Sequence, residues 1–185
     1  MKEVIKDKTL LYNTIAKGDP EAFANLYDRH VAEVYRFVFF KLSNKEEAED
    51  ITSDVFLQLW RYLQEEGRRV KNFRGLLYQI ARNKIIDTYR ARAKKQEVSL
   101  EVVLELPLES INSVSDRLAE QGEMERIFRA VKKMKEEYQE VIVLRYINEL
   151  TIGEIADALG KKRTAVRVTL HRATKKLKEL LEPSL

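Results

Sequence analysis

Cysteine is absent from the 185 residues, which excludes disulfides, thiolate metal sites and cysteine nucleophiles. Histidine is nearly absent: His30 and His171 are the only two, too few for a histidine-based zinc site. Six glycines and three prolines are few for a protein of strands and tight turns, and suit helices. Apolar runs are short. Phe37-Val38-Phe39-Phe40 falls far below the roughly 20 residues that cross a bilayer. The opening Met1-Lys2-Glu3-Val4-Ile5-Lys6-Asp7 mixes charges where a secretory leader is apolar, so the expectation is a soluble, cytoplasmic protein. Catalysis is not expected either. There is no Ser-His-Asp set and no glycine-rich phosphate loop, and the acids around Glu46–Asp50 lack the Glu-x-x-His partner of di-iron bundles. No catalytic residue, cofactor or metal ligand is assigned.

Charge is abundant and segregated. Charged residues make up 35% of the chain and the net charge is +4. Residues 67–96 carry ten basic side chains and one acidic, and residues 161–185 carry eight and two. Residues 97–125 reverse this, with one basic and eight acidic. Two basic blocks separated by an acidic one read as two polyanion contacts on one chain. Solvated helix faces are the plainer reading of either block alone.

Helical periodicity runs through most of the rest. Asp19-Pro20-Glu21 spells an N-cap, a first-turn proline and an early acid, and Phe23, Leu26, Tyr27, Val31, Val34, Phe37 and Val38 follow at spacings of three and four. Ser43-Asn44-Lys45-Glu46 spells a capping box for a second helix, with Ala48, Ile51, Val55, Leu59 and Leu63 as its inner stripe. A third begins near Asn72, turns Phe73, Leu77, Ile80, Ala81 and Ile85 inward, and continues toward Lys95. A short helix over 8–17 precedes all three. Residues 97–120 lose the period and read as a flexible acidic linker. Beyond it, Ile127, Val131 and Met134 resume the pattern, and Thr151-Ile152-Gly153-Glu154 is another capping box, closed by Gly160. A last helix from about Thr164 places Val166, Leu170, Ala173, Leu177 and Leu181 on one face. The predicted fold is all-α. A three- to four-helix bundle over 1–96 and a helix-turn-helix domain over 121–185 are joined by the linker.

A short helix, a tight turn and a longer basic helix make a helix-turn-helix. Opposite its apolar face the last helix carries Arg163, Thr164, Arg167, Val168, His171 and Lys175, with Arg172 and Lys176 on the flank. Arginines there suit phosphates or a guanine edge, and Val168 suits a thymine methyl. The segment from Phe73 to Arg90 interleaves rings, arginines and side-chain amides, which suits single-stranded nucleic acid. Asn83 and Asp87 lie one turn apart, near Arg90, and Arg68, Arg69 and Lys71 form a basic loop just before the helix. Two readings of Tyr78 and Tyr89 stand: rings that stack on bases, or rings at the rim of the bundle core.

In order and spacing, three stretches resemble the extracytoplasmic-function sigma factors, the minimal two-domain class of the sigma-70 family. Residues 48–60, AEDITSDVFLQLW, are similar to that family's polymerase-binding helix. Leu77-Tyr78-Gln79-Ile80-Ala81-Arg82-Asn83, with Asp87 and Arg90, is similar to the helix that engages the −10 promoter element. Residues 138–160 with Leu170-His171-Arg172-Ala173 are similar to the domain that reads the −35 element. The chain departs from the family at Ser53, where Gln is usual, and at Leu76, where Trp is usual. It departs again in the turn Lys161-Lys162-Arg163, which leaves Thr164 as the expected cap, and at Thr169, where a basic residue is common.

The resemblance implies a division of labour. Glu47, Asp50, Ser53, Asp54, Leu57 and Gln58 would dock on the beta-prime clamp helices of core RNA polymerase. Arg68, Arg69, Lys71, Phe73, Tyr78, Arg82, Asn83, Asp87 and Arg90 would hold the melted −10 DNA. Lys162, Arg163, Thr164, Arg167, Val168, His171, Arg172 and Lys175 would enter the −35 duplex, with the beta flap contacting the same domain. An anti-sigma factor is the implied regulator, and no obligate homo-oligomer is expected. Two rivals remain at this point. A free-standing helix-turn-helix regulator has no need of the second basic block, and a helical adaptor that binds only proteins leaves both blocks unexplained.

Overall fold

A computed structural model describes residues 2–65, 70–96 and 118–182. Among the described residues every regular element is helical. The helices are α1 (Lys2–Lys17), α2 (Pro20–Leu42), α3 (Lys45–Gln64), α4 (Phe73–Gln96), α5 (Leu118–Lys132), α6 (Glu136–Ile142), α7 (Ile152–Leu159) and α8 (Arg163–Leu181), with a π-helical turn over Val143–Ile147 after α6. The chain divides into two units, the first holding α1–α4 together with Asp157–Gly160 at the end of α7, and the second the rest of α5–α8. The expected linker lies outside the described residues as far as residue 117, and α5 begins ahead of the boundary expected at 121.

Local capping sets the starts of the first unit's helices. The Asp19 carboxylate accepts from the Glu21 N–H at 2.9 Å and the Ala22 N–H at 3.2 Å, and Pro20 gives up no hydrogen bond in the first turn. For α3 the capping box is displaced by one residue. Asn44 is the cap, accepting from the Glu47 N–H at 3.0 Å, while Ser43 closes α2 in the left-handed conformation. One serine cannot be left-handed and extended at once, so its end-of-helix role leaves the cap to Asn44. The Asn72 side chain accepts from the Gly75 N–H at 3.2 Å and opens α4. The helix expected over 8–17 extends back to Lys2 as α1.

α2 packs on α1, α3 and α4, and α3 on α4. Leu26, Val34, Phe37 and Val38 of α2 meet Val55, Leu59 and Leu63 of α3 and Leu77, Tyr78 and Ile85 of α4 in a core closed to water. Burying a side chain of this size contributes about 1.5–3 kcal/mol.

In the second unit α8 packs on α5 and α6. Its core is Val131, Val141, Ile142, Leu144, Leu150, Ile155, Val166 and Ala173. The capping box at α7 is reciprocal: the Thr151 N–H donates to Glu154 Oε2 at 2.7 Å and the Glu154 N–H to Thr151 Oγ1 at 3.3 Å. Gly160 turns the chain toward α8 at φ +61°, a conformation that costs glycine nothing. α8 then starts at Arg163 after Lys162, with no side-chain cap, and Thr164 lies inside its first turn instead of capping it.

Candidate nucleic-acid and protein interfaces

α3 shows its outer face as Asp50, Ser53, Asp54, Leu57 and Gln58, all exposed and spaced three or four residues apart. Leu57 is 48% exposed among acids and an amide. An apolar side chain in that position has no core to fill. Two acids on this side also hold the bundle together. Glu47, half-buried, pairs with Arg92 of α4, and Asp54 accepts from Lys84 Nζ at 2.8 Å. The Ser53 hydroxyl donates to the Glu49 carbonyl one turn back, at 3.1 Å.

α4 presents Asn83, Asp87 and Arg90 to solvent, with Arg82 half-buried and Lys71 exposed just before the helix. Arg90 Nη1 donates to Asp87 Oδ1 at 3.4 Å, so the two are presented together. Arg68 and Arg69 lie outside the described residues. Two residues expected to face DNA do not. Phe73 is 7% exposed, its ring 5.3 Å from that of His30, and Tyr78 is 0% exposed, edge-on to Phe37 at 5.4 Å. Both repeat at the spacing of Leu77, Ile80, Ala81 and Ile85, and burial of the rings outweighs presenting them to water. Of the two readings of Tyr78, the structure selects the core. Tyr89 is at the rim, its hydroxyl donating to the Lys41 carbonyl at 2.6 Å. Gln79, to which the sequence assigns no contact of its own, is exposed one turn before Asn83 on the same face.

Every residue assigned to the −35 face is exposed: Lys162 just before α8, and Arg163, Thr164, Arg167, Val168, His171, Arg172 and Lys175 on it. Its uncapped N-terminus adds free N–H groups and the positive end of the helix dipole to that cationic face. The Arg163 guanidinium lies close over Gly153 of α7, where an added Cβ would come within 3.2 Å of Nη2. A side chain at 153 would have to displace it.

Behind α4, a charged network joins three helices of the first unit. His30, 5% exposed, holds Asp7 of α1 through Nε2 at 3.2 Å, and its Nδ1 lies 3.7 Å from Glu33. Arg29 pairs with Asp7 at 3.0 Å and Arg74 with Glu33 at 3.1 Å. Burial raises the pKa of Glu33, but the nearby His30 and the Arg74 guanidinium outweigh it and hold the carboxyl below its ordinary value.

The chain is similar to known proteins over both units. Residues 26–95 match the description "Sigma-70 region 2" and residues 124–177 match "Sigma-70, region 4". The chain is 30% identical to the ECF RNA polymerase sigma factor SigX of Bacillus subtilis, over 88% of its own length and 84% of SigX. It is also 30% identical to the ECF RNA polymerase sigma factor BldN of Streptomyces coelicolor, covering 89% of this chain but only 62% of BldN. Among solved structures, CnrH in complex with the cytosolic domain of CnrY superposes with a TM-score of 0.67 at 26% identity, over 95% of this chain and 97% of CnrH.

Proposed function

Because the chain belongs to the extracytoplasmic-function sigma factors of the sigma-70 family, we propose that its three exposed helix faces carry the three contacts of a promoter-specific initiation subunit. It binds core RNA polymerase and directs initiation at promoters. The observation that carries the assignment of faces is the placement of the matches: region 2 takes in the Leu57 face and the Asn83 face, and region 4 takes in α8 as far as Leu177.

The outer face of α3, centred on Leu57 and flanked by Asp50, Ser53, Asp54 and Gln58, docks on the beta-prime clamp helices. Glu47 supports it from beneath by tying α3 to α4 through Arg92. Lys71, Arg82, Asn83, Asp87 and Arg90, with Arg68 and Arg69 from the preceding loop, hold the melted −10 strand. Gln79 joins that face, while Phe73 and Tyr78 shape it from within. The cations of α8 neutralise phosphates of the −35 duplex, and the beta flap meets the same domain. The chain supplies no catalytic residue; the nucleotidyl chemistry is the polymerase's. It works where the polymerase is, in the cytoplasm, as one copy per holoenzyme. Among the described residues no helix is long and apolar enough to cross a membrane. An anti-sigma factor covers the exposed faces until initiation is required. That CnrH is seen in complex with the cytosolic domain of another protein, CnrY, supports a protein partner of this kind.

The test is transcription in vitro from a library of genomic fragments, using core polymerase with and without this protein. Initiation at discrete sites only when it is present supports the reading. Duplex binding without any gain in initiation would replace it with a free-standing regulator. Leu57→Asp isolates the polymerase face: the fold should stay within about 0.5 kcal/mol of wild type, as for other exposed positions, while affinity for core polymerase falls at least tenfold. A Leu57→Asp protein that assembles holoenzyme normally moves the interface elsewhere.

A further inference from the structure

We propose that Val168 reads the C5-methyl group of a thymine in the −35 duplex, which makes it a base-specifying residue within a face that otherwise holds phosphates. The proposal rests on the reading of α8 as the duplex-binding helix and adds the base it selects.

Val168 is 50% exposed, while the apolar stripe of α8 is turned the other way, with Val166 and Ala173 fully buried. Its neighbours on the helix surface, one turn away in each direction, are Thr164, His171 and Arg172, with Arg167 beside it, all exposed. A branched hydrocarbon is thus held in water at the middle of a cationic face. An apolar patch on a protein partner would have to approach between Arg167 and Arg172 and pair both. The major groove removes that difficulty. Phosphates along its edges take the cations, and among the four bases only thymine shows an apolar group on the groove floor. Valine has no donor or acceptor beyond its backbone, so it distinguishes bases there only through contact with that methyl. Its stiff χ1 also presents the two γ-methyl groups with little loss of rotamer freedom.

The contact is measured by deleting either partner's methyls. A promoter duplex is first mapped with this holoenzyme by transcription of genomic fragments. Each thymine of its −35 region is then replaced singly by deoxyuridine, which removes the methyl and leaves base pairing intact. Burying one methyl-sized group predicts a three- to fivefold fall in initiation at limiting holoenzyme, at one position, with the wild-type protein. The same replacement should have no effect with Val168→Ala holoenzyme, and Val168→Ala on thymine DNA should match wild type on uracil DNA. Thermal unfolding of Val168→Ala, expected to be unchanged, shows that the variant is folded.

An equal uracil penalty with both proteins overturns the proposal, as does a −35 region in which no thymine is sensitive. Failure of the sigma reading is separate. If the wild-type protein binds the unmodified duplex but gives no initiation, the polymerase assignment fails, and the uracil series is scored on duplex affinity with the same two outcomes.

Discussion

Glu33 on α2 shows how single side chains hold the first unit together beneath its functional faces. It accepts from Arg74 of α4 while His30, beside it, reaches Asp7 of α1, so one turn of α2 joins three helices by charge. Partial burial costs each ion some hydration, but removing one partner leaves the others unmatched. Glu33→Gln should therefore lower stability near neutral pH by on the order of 1 kcal/mol, a figure reduced because the carboxyl is about one-third exposed. The pH dependence has a definite sign. The folded-state pKa lies below the ordinary value of 4.5, so the stabilisation is complete above that value and is lost as pH falls through the folded pKa. Urea unfolding of wild type and Glu33→Gln at neutral pH and at descending acid pH checks this. The gap between them should close toward acid, and a constant gap would mean that the Glu33 charge contributes nothing.

Among the elements, the π-helical turn after α6 places α7. The Asn148 N–H reaches back to the Val143 carbonyl at 3.0 Å and the Leu150 N–H to Leu144 at 2.9 Å, which closes the turn and buries Leu150. The chain leaves through Glu149 at φ 54°, a left-handed conformation held by an exposed residue with a Cβ. That conformation costs a non-glycine residue about 1–2 kcal/mol. Glu149→Gly should relieve most of it, with some loss to the greater freedom of the unfolded chain, for a net gain of about 0.5–1 kcal/mol in the second unit. A rise in the unfolding midpoint with DNA binding unchanged is the expected result. A fall would show that the Glu149 side chain contributes more than its backbone costs.

For the whole molecule, the separation of the two basic blocks onto different units determines how binding responds to salt. Each Lys or Arg that meets a phosphate releases counterions, so the logarithm of promoter affinity falls linearly with the logarithm of salt concentration. Arg172→Ala and Lys175→Ala on α8 should each reduce that slope by about one and weaken holoenzyme binding to all promoters alike. Asn83→Ala on α4 should leave the slope unchanged and alter the choice among −10 sequences. The check is a salt titration of holoenzyme on two promoters that differ in their −10 element. A loss of slope from Asn83→Ala would mean that its face holds backbone and not bases.

Helix periods of three and four, the Asp19 and Thr151 caps and the segregation of Lys and Arg are local properties. The all-α class and the exposed face of α8 were therefore readable from the order of residues alone. Ser43 and Asn44 both spell a cap, and only the left-handed exit of α2 decides between them. The same holds for Phe73 and Tyr78: an aromatic ring between arginines is equally suited to a stacked base or to a core. Packing of α4 against α2 buried them, because the apolar contact that decides the matter comes from Phe37 and His30, more than 40 residues away in the sequence. Pairings such as Glu47 with Arg92 and Asp54 with Lys84 are also long-range, since a charge carries no mark of its partner until two helices lie side by side. The sequence by itself determined which faces carry charge. Tertiary packing decided which of those charged and aromatic side chains remain available to a partner, because only packing removes a side chain from water.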